Sequence, residues 1–194
     1  MAKRSYTQRR RAEAQEETRR KIVEAAVSLH QARGFVATTI GDIAERAGVG
    51  RVTVYRHFPD ETALLAACSG HYFGLHPLPD PEAWRAVEGP AARLRKGLSE
   101  AYAYHRETEA MMMSVLDETR DLPIVAPYFD HWRRAADVLA EAWPEEARGP
   151  RLRAGLRLAV TFETWRFLVR QEGLSDEDAI TLMARMTGAD QGAA

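Results

Sequence analysis

One cysteine, Cys68, in 194 residues excludes an internal disulfide and any zinc site built from several thiolates of one chain. No apolar run approaches the ~18 residues that a membrane span needs. The basic start MAKRSYTQRRRAEAQEETRRK has no apolar stretch behind it, so a secretory leader is not expected and a cytoplasmic location is. There is no glycine-rich phosphate loop, nucleophile elbow or metalloprotease motif, hence no catalytic residue, enzyme activity or cofactor is expected. Cys68 and His71 lie three apart, with His76 and Asp80 following, but nothing completes a tetrahedral set and no metal is expected. Alternation at period two, the mark of a half-buried strand, is missing as well.

What is present begins with charge. The net −1 conceals 12 Lys and Arg against 6 Asp and Glu in residues 1–59, and 15 against 22 in the remainder. The front third therefore has the electrostatics of a surface that meets phosphates. Apolar residues recur at spacings of three and four throughout, which predicts an all-α chain. A first helix is expected from about Glu16 to Arg33, stopped by Gly34, and residues 1–15 are expected to form a disordered basic arm. A short helix follows, capped by Thr38 or Thr39 and burying Ile40, Ile43, Ala44 and Ala47. Gly48-Val49-Gly50 forces a turn, and RVTVYRHF resumes a helix at once. Asp60 caps the next helix, and a domain boundary is expected there.

Beyond the prolines at 77, 79 and 81, a helix carrying Leu94, Leu98, Tyr102 and His105 is expected, then a separate one with Met111, Met112, Val115 and Leu116. Val125 to Trp143 gives another stripe, and Pro150 to Arg170 reads as one helix that is apolar over more than half its circumference. Gly173 stops it, and Ser175 caps a last helix with Ala179, Leu182, Met183 and Met186 inward. Residues 189–194 are expected to be a disordered tail.

The stretch TTIGDIAERAGVGRVTVYRHF has the parts of a helix-turn-helix, in which a second helix enters the major groove. Thr39-Ile40, Asp42-Ile43-Ala44, Ala47-Gly48-Val49, Thr53-Val54-Tyr55 and His57-Phe58 together resemble the DNA-binding motif of the tetracycline-repressor (TetR/AcrR) family of bacterial transcriptional regulators. The resemblance implies an N-terminal three-helix helix-turn-helix domain over residues 16–59 and a larger C-terminal helical domain over 60–188 for effector binding and dimerisation. It implies that Arg51, Val52 and Thr53 face bases, Arg51 through paired bonds to guanine. Thr39, Tyr55 and His57 would hold phosphates, and Arg56 either. Arg9 to Arg11, Arg19 and Arg20 would add salt-dependent attraction. The chain departs from the family at Gly50, usually Ser, at Val52, usually Gly or Ala, and at Glu61, frequently a phosphate-contacting Lys.

The partners implied are a double-stranded, near-palindromic DNA operator, a partly apolar small-molecule effector and a second copy of the chain, with the DNA released when effector binds. For the effector the candidates are Tyr102, His105, Met111, Met112, Phe129, Trp132, Phe162 and Trp165, although such stripes also serve as plain core. For the homodimer interface they are Leu152, Leu156, Val160, Phe167, Leu182, Met183 and Met186, with a thick monomeric core as the other reading. Taken without the resemblance, the residues also suit an all-α ligand-binding or enzymatic protein whose basic front is incidental.

Overall fold

The computed structural model describes residues 2–189, with the backbone only for residues 2–5 and 7. The described residues are helical and contain no strand. They divide into two compact units, one running up to His76 together with Ala110–Val125, the other comprising Pro77–Glu109 and the residues from Ala126 onward.

In the first unit, α1 (Ala2–Arg33), α2 (Ile40–Ala47), α3 (Arg51–His57) and α4 (Glu61–Leu75) enclose a core of Ile22, Ala26, Ile43, Val54, Phe58 and Leu64. Cys68 is buried there, and burial pushes its thiol up to about 12. Two expectations are revised here. The helix begins at Ala2 instead of Glu16, so most of the arm expected to be disordered is helical. An ion pair one turn apart, Arg9 with Glu13 at 2.9 Å, supports that exposed extension. Helix α4, expected to open the second domain, packs within the first unit, where Leu64 and Cys68 join the core.

Helix α5 runs unbroken from Pro90 to Thr119, so the two helices expected around His105 and Met111 are one. The intervening residues Arg106 to Ala110 contain neither glycine nor proline, and nothing there interrupts the ladder.

In the second unit, the first part of α5 packs with α6 (Ala126–Ala140), α7 (Pro150–Ala159), α8 (Phe162–Arg166) and α9 (Asp176–Met186). Trp84, Leu94, Leu98, Leu139 and Leu156 are fully buried, and Trp84 donates its indole N–H to Glu100 at 2.6 Å. The single helix expected from Pro150 to Arg170 is broken at Thr161. Its hydroxyl oxygen accepts from the Thr164 N–H at 3.2 Å and starts α8 afresh. A wide turn over Phe167–Gln171 follows, and Ser175 caps α9 by accepting from Asp178 N–H at 3.1 Å. Of the tail expected from residue 189, all but Ala189 lies outside the described residues.

Candidate nucleic-acid interface

The corner between α2 and α3 is fixed at both ends. Thr39 caps α2: its hydroxyl oxygen accepts from the Asp42 N–H at 3.2 Å, while Asp42 Oδ2 accepts from the Thr39 N–H at 2.9 Å and from its hydroxyl at 2.6 Å. Those bonds, with Arg33 at 2.7 Å, hold the Asp42 carboxyl below the usual carboxylate range. Both donors of Thr39 thus point at Asp42, and a phosphate would have to compete for them. Gly48 then turns the chain with φ +68°, a left-handed angle that suits glycine.

On α3, Val54 is fully buried and Phe58 just beyond it nearly so, with the Arg19 guanidinium 4.6 Å from the Phe58 ring centre. These two anchors decide which side faces outward. Val52 is 82% exposed and Tyr55 51% exposed, Arg51 and Arg56 are exposed, and Thr53 and His57 are half-buried. The His57 Nε2 is buried without a hydrogen-bond partner, so any phosphate contact of that ring falls to Nδ1. Among the described residues neither Arg51 nor Arg56 forms an ion pair, whereas Arg20 is held by Glu17 at 2.6 Å and Glu24 at 2.8 Å. Two unpaired guanidiniums beside an exposed valine, on a helix held by its own core, suit a surface that meets duplex DNA.

Sequence reasoning missed two residues around this element. Glu118, at the end of α5, accepts from the backbone N–H groups of Phe35 at 2.6 Å and Val36 at 2.9 Å, which fixes the loop ahead of the Thr39 cap. Gly34 opens that loop at φ +88°, and a Cβ there would lie 2.8 Å from the Glu118 carboxylate. Glu118→Ala is expected to cost about 1 kcal/mol, since it strands two loop donors that water can partly reach; urea unfolding against wild type measures it. Gly41 is the second: the Arg51 guanidinium lies across it, 2.5 Å from where a Cβ would stand.

The expected effector residues separate. Met111 and Met112 belong to the first unit, whereas Tyr102, His105, Phe129, Trp132, Phe162 and Trp165 belong to the second. His105 is fully buried, with the rings of Trp132 at 4.7 Å, Phe162 at 5.8 Å, Trp165 at 6.2 Å and Tyr102 at 6.4 Å. Phe129 is half-buried and meets the edge of Tyr128 at 5.4 Å. His105 Nε2 lies 3.0 Å from the Val160 carbonyl and donates to it when the ring is neutral, leaving Nδ1 as an acceptor without a partner. Burial pulls its pKa down to about 4.

The unfolded chain binds that proton below pH ~6.5 and the folded chain only near pH ~4, so this part of the stability is complete above pH ~6.5 and is lost as pH falls. Loss of roughly 3 kcal/mol is expected across that window. Burial shifts His30 and His131 the same way, so His105→Gln should flatten only part of the fall in melting temperature. A profile identical to wild type would contradict this role.

The residues expected between chains also divide. Leu156, Val160 and Met183 are buried within their own chain, which corrects their assignment to a surface, and Leu152 is half-buried. The break at Thr161 and the wide turn after α8 change which side of this region faces outward. Phe167 is 50% exposed, Leu182 partly so and Met186 65% exposed, with Leu158 also open to solvent. No helix among the described residues is long and apolar enough to cross a membrane, and these residues contain no group of three metal-ligating side chains.

Residues 22–68 match the family model of bacterial regulatory proteins of the tetR family. The transcriptional regulator TtgR of Pseudomonas putida is 46% identical over 59 residues, 30% of this chain and 28% of that protein. The transcriptional repressor LfrR of Mycolicibacterium smegmatis is 45% identical over 62 residues, 32% of each chain. The chain thus matches about a third of the length of these relatives, over the segment that holds α2 and α3. A putative TetR-family regulator from Rhodococcus sp. shares the fold with TM-score 0.52 and 19% identity, over 89% of this chain and 97% of that one. With its helix-turn-helix geometry, its unpaired outward arginines and these matches, the segment at residues 22–68 is a DNA-binding segment of the tetR-family type.

Proposed function

We propose that the chain is a homodimeric transcriptional repressor that reads a near-palindromic operator through α3 and is released by a small molecule bound in its second unit. The observation that carries the reading is the division of α3, with Val54 buried while Arg51, Val52 and Arg56 face outward unpaired. Arg51 then pairs with a guanine edge, and the Val52 and Thr53 methyl groups meet thymine. Tyr55, whose hydroxyl makes no hydrogen bond among the described residues, binds a phosphate, as do Arg56, His57 and Thr39. The residues up to 59 act as the reading head, and α4 links it to the effector-binding body.

A dimer suits this use, because two-fold symmetry presents two reading heads to successive major grooves. Exposed Phe167, Leu182 and Met186 supply apolar surface for it, with Leu152 alongside. For the effector, the aromatic cluster around His105, with its open Nδ1 acceptor, favours a partly apolar molecule bearing one hydrogen-bond donor. Release follows when DNA and effector favour different states of the protein, each ligand weakening the other by its differential affinity.

Selection of DNA fragments by the purified chain, followed by anisotropy titrations at two salt concentrations, tests the reading. A recovered palindrome bound far more tightly than random duplex supports it. Recovery of no common sequence contradicts it.

A further inference from the structure

Between the loop at residues 34–39, α2, the start of α3 and the start of α4 lies a half-open cleft of about 640 Å³, wholly within the first unit. Its volume falls among the ~300–1,000 Å³ of small-molecule sites. Phe35, Ile40, Leu64 and Leu65 line it with apolar surface, and Arg51 and Glu61 are its charged lining residues. We propose that this cleft binds a small molecule with an apolar body and one carboxylate, held by Arg51, and that the bound molecule competes with DNA for that side chain.

Three features support a monocarboxylate. The Arg51 guanidinium lies against α2 at the one place where the helix has no side chain, since a Cβ at Gly41 would stand 2.5 Å from Nη2 and 3.0 Å from Cζ. There it makes no ion pair among the described residues, so its planar donor fork is open to a matching planar carboxylate. Glu61 lines the same cleft, also without an ion pair among the described residues, and repels a second negative charge. That disfavours a phosphate dianion. His30 also lines the cleft, and burial keeps its imidazole neutral at pH ~7. The rim is stiff as well, because Glu118 holds the N–H groups of Phe35 and Val36.

The binding half of the proposal stands on the cleft alone, and the competition half rests on Arg51 reading DNA. Calorimetric titration of the full chain without DNA separates them, with 4-phenylbutyrate, its neutral amide 4-phenylbutanamide and inorganic phosphate as probes. The carboxylate is expected to bind at least about tenfold more tightly than the amide or phosphate. Arg51→Gln and Gly41→Ala are each expected to weaken it by about tenfold, the second by pushing the guanidinium off its seat. Both variants are checked for wild-type helix content by circular dichroism, and alanine suits a helix better than glycine.

Absence of carboxylate binding, equal binding of the amide, equal binding of phosphate, or an affinity untouched by both substitutions would overturn the site. Labelled duplex DNA then reads the competition: saturating 4-phenylbutyrate should raise the apparent dissociation constant for wild type. An unchanged value in a chain that binds both ligands would overturn the competition. A chain that binds no DNA at all would defeat the proposed function and the competition, while leaving the calorimetric result standing.

Discussion

Arg51→Ala is expected to lower affinity for the selected operator by about 1–3 kcal/mol, roughly ten- to a hundredfold, while changing binding to random duplex little. A paired contact to a guanine edge is worth that much against the wrong base, whereas a phosphate contact contributes alike to every sequence. Arg51 is exposed and unpaired at the start of α3, where the helix dipole disfavours a cation, so its removal should not unfold the chain. Tyr55→Phe provides the contrast: loss of one phosphate bond should weaken specific and random DNA together. Anisotropy titrations on the selected duplex and on a scrambled one distinguish the two. Equal losses on both duplexes for Arg51→Ala would assign that residue to the backbone, not to a base.

The larger effect is expected from the far end of the chain. Leu182→Glu with Met186→Glu places two carboxylates on apolar surface that is exposed in the single chain. Burying them in a chain-to-chain interface would cost several kcal/mol, whereas leaving them in water costs little. The double variant should therefore fold and melt like wild type but sediment as a monomer. Loss of the linked second reading head should then weaken operator binding on the order of 10²–10⁴-fold. A variant that still sediments as a dimer would move the interface elsewhere. The buried Met183, by contrast, is a core residue whose replacement tests stability and not assembly.

The parts of the interface that depend on neighbours in sequence were legible before any coordinates. Of the two threonines expected to cap α2, Thr39 does so, and Asp60 caps α4, where short-range donors needed an acceptor. Gly48 takes the left-handed angle that the Gly-Val-Gly run implies, and Ile43 and Ala44 of the expected inner stripe are buried. What sequence pattern could not supply was partnership across long separations. Glu118 meets Phe35 across 83 residues, and no periodicity announces a carboxylate that holds a loop. The seat of Arg51 over Gly41 is of the same kind, because a glycine inside a helix reads only as a weak position until its neighbour is seen.

Breaks were the other difficulty. Thr161 restarts a helix without glycine or proline, so a run of apolar residues from Pro150 to Arg170 looked continuous. Leu156 and Val160, assigned to an outer face, lie ahead of that break and are buried within their own chain, while Phe167 beyond it stays exposed. The reverse error occurred in α5, where a division was expected and none exists. Both follow from one cause: period alone fixes which residues share a face within a helix, but not where one helix yields to the next.

The outward face of α3 is tested most directly by the methyl groups of its two valines. With the chain bound to the selected duplex, nuclear Overhauser contacts are expected from Val52 to protons of the major groove, and none from the buried Val54. Silence from Val52 in a complex that otherwise shows contacts between protein and DNA would contradict the account.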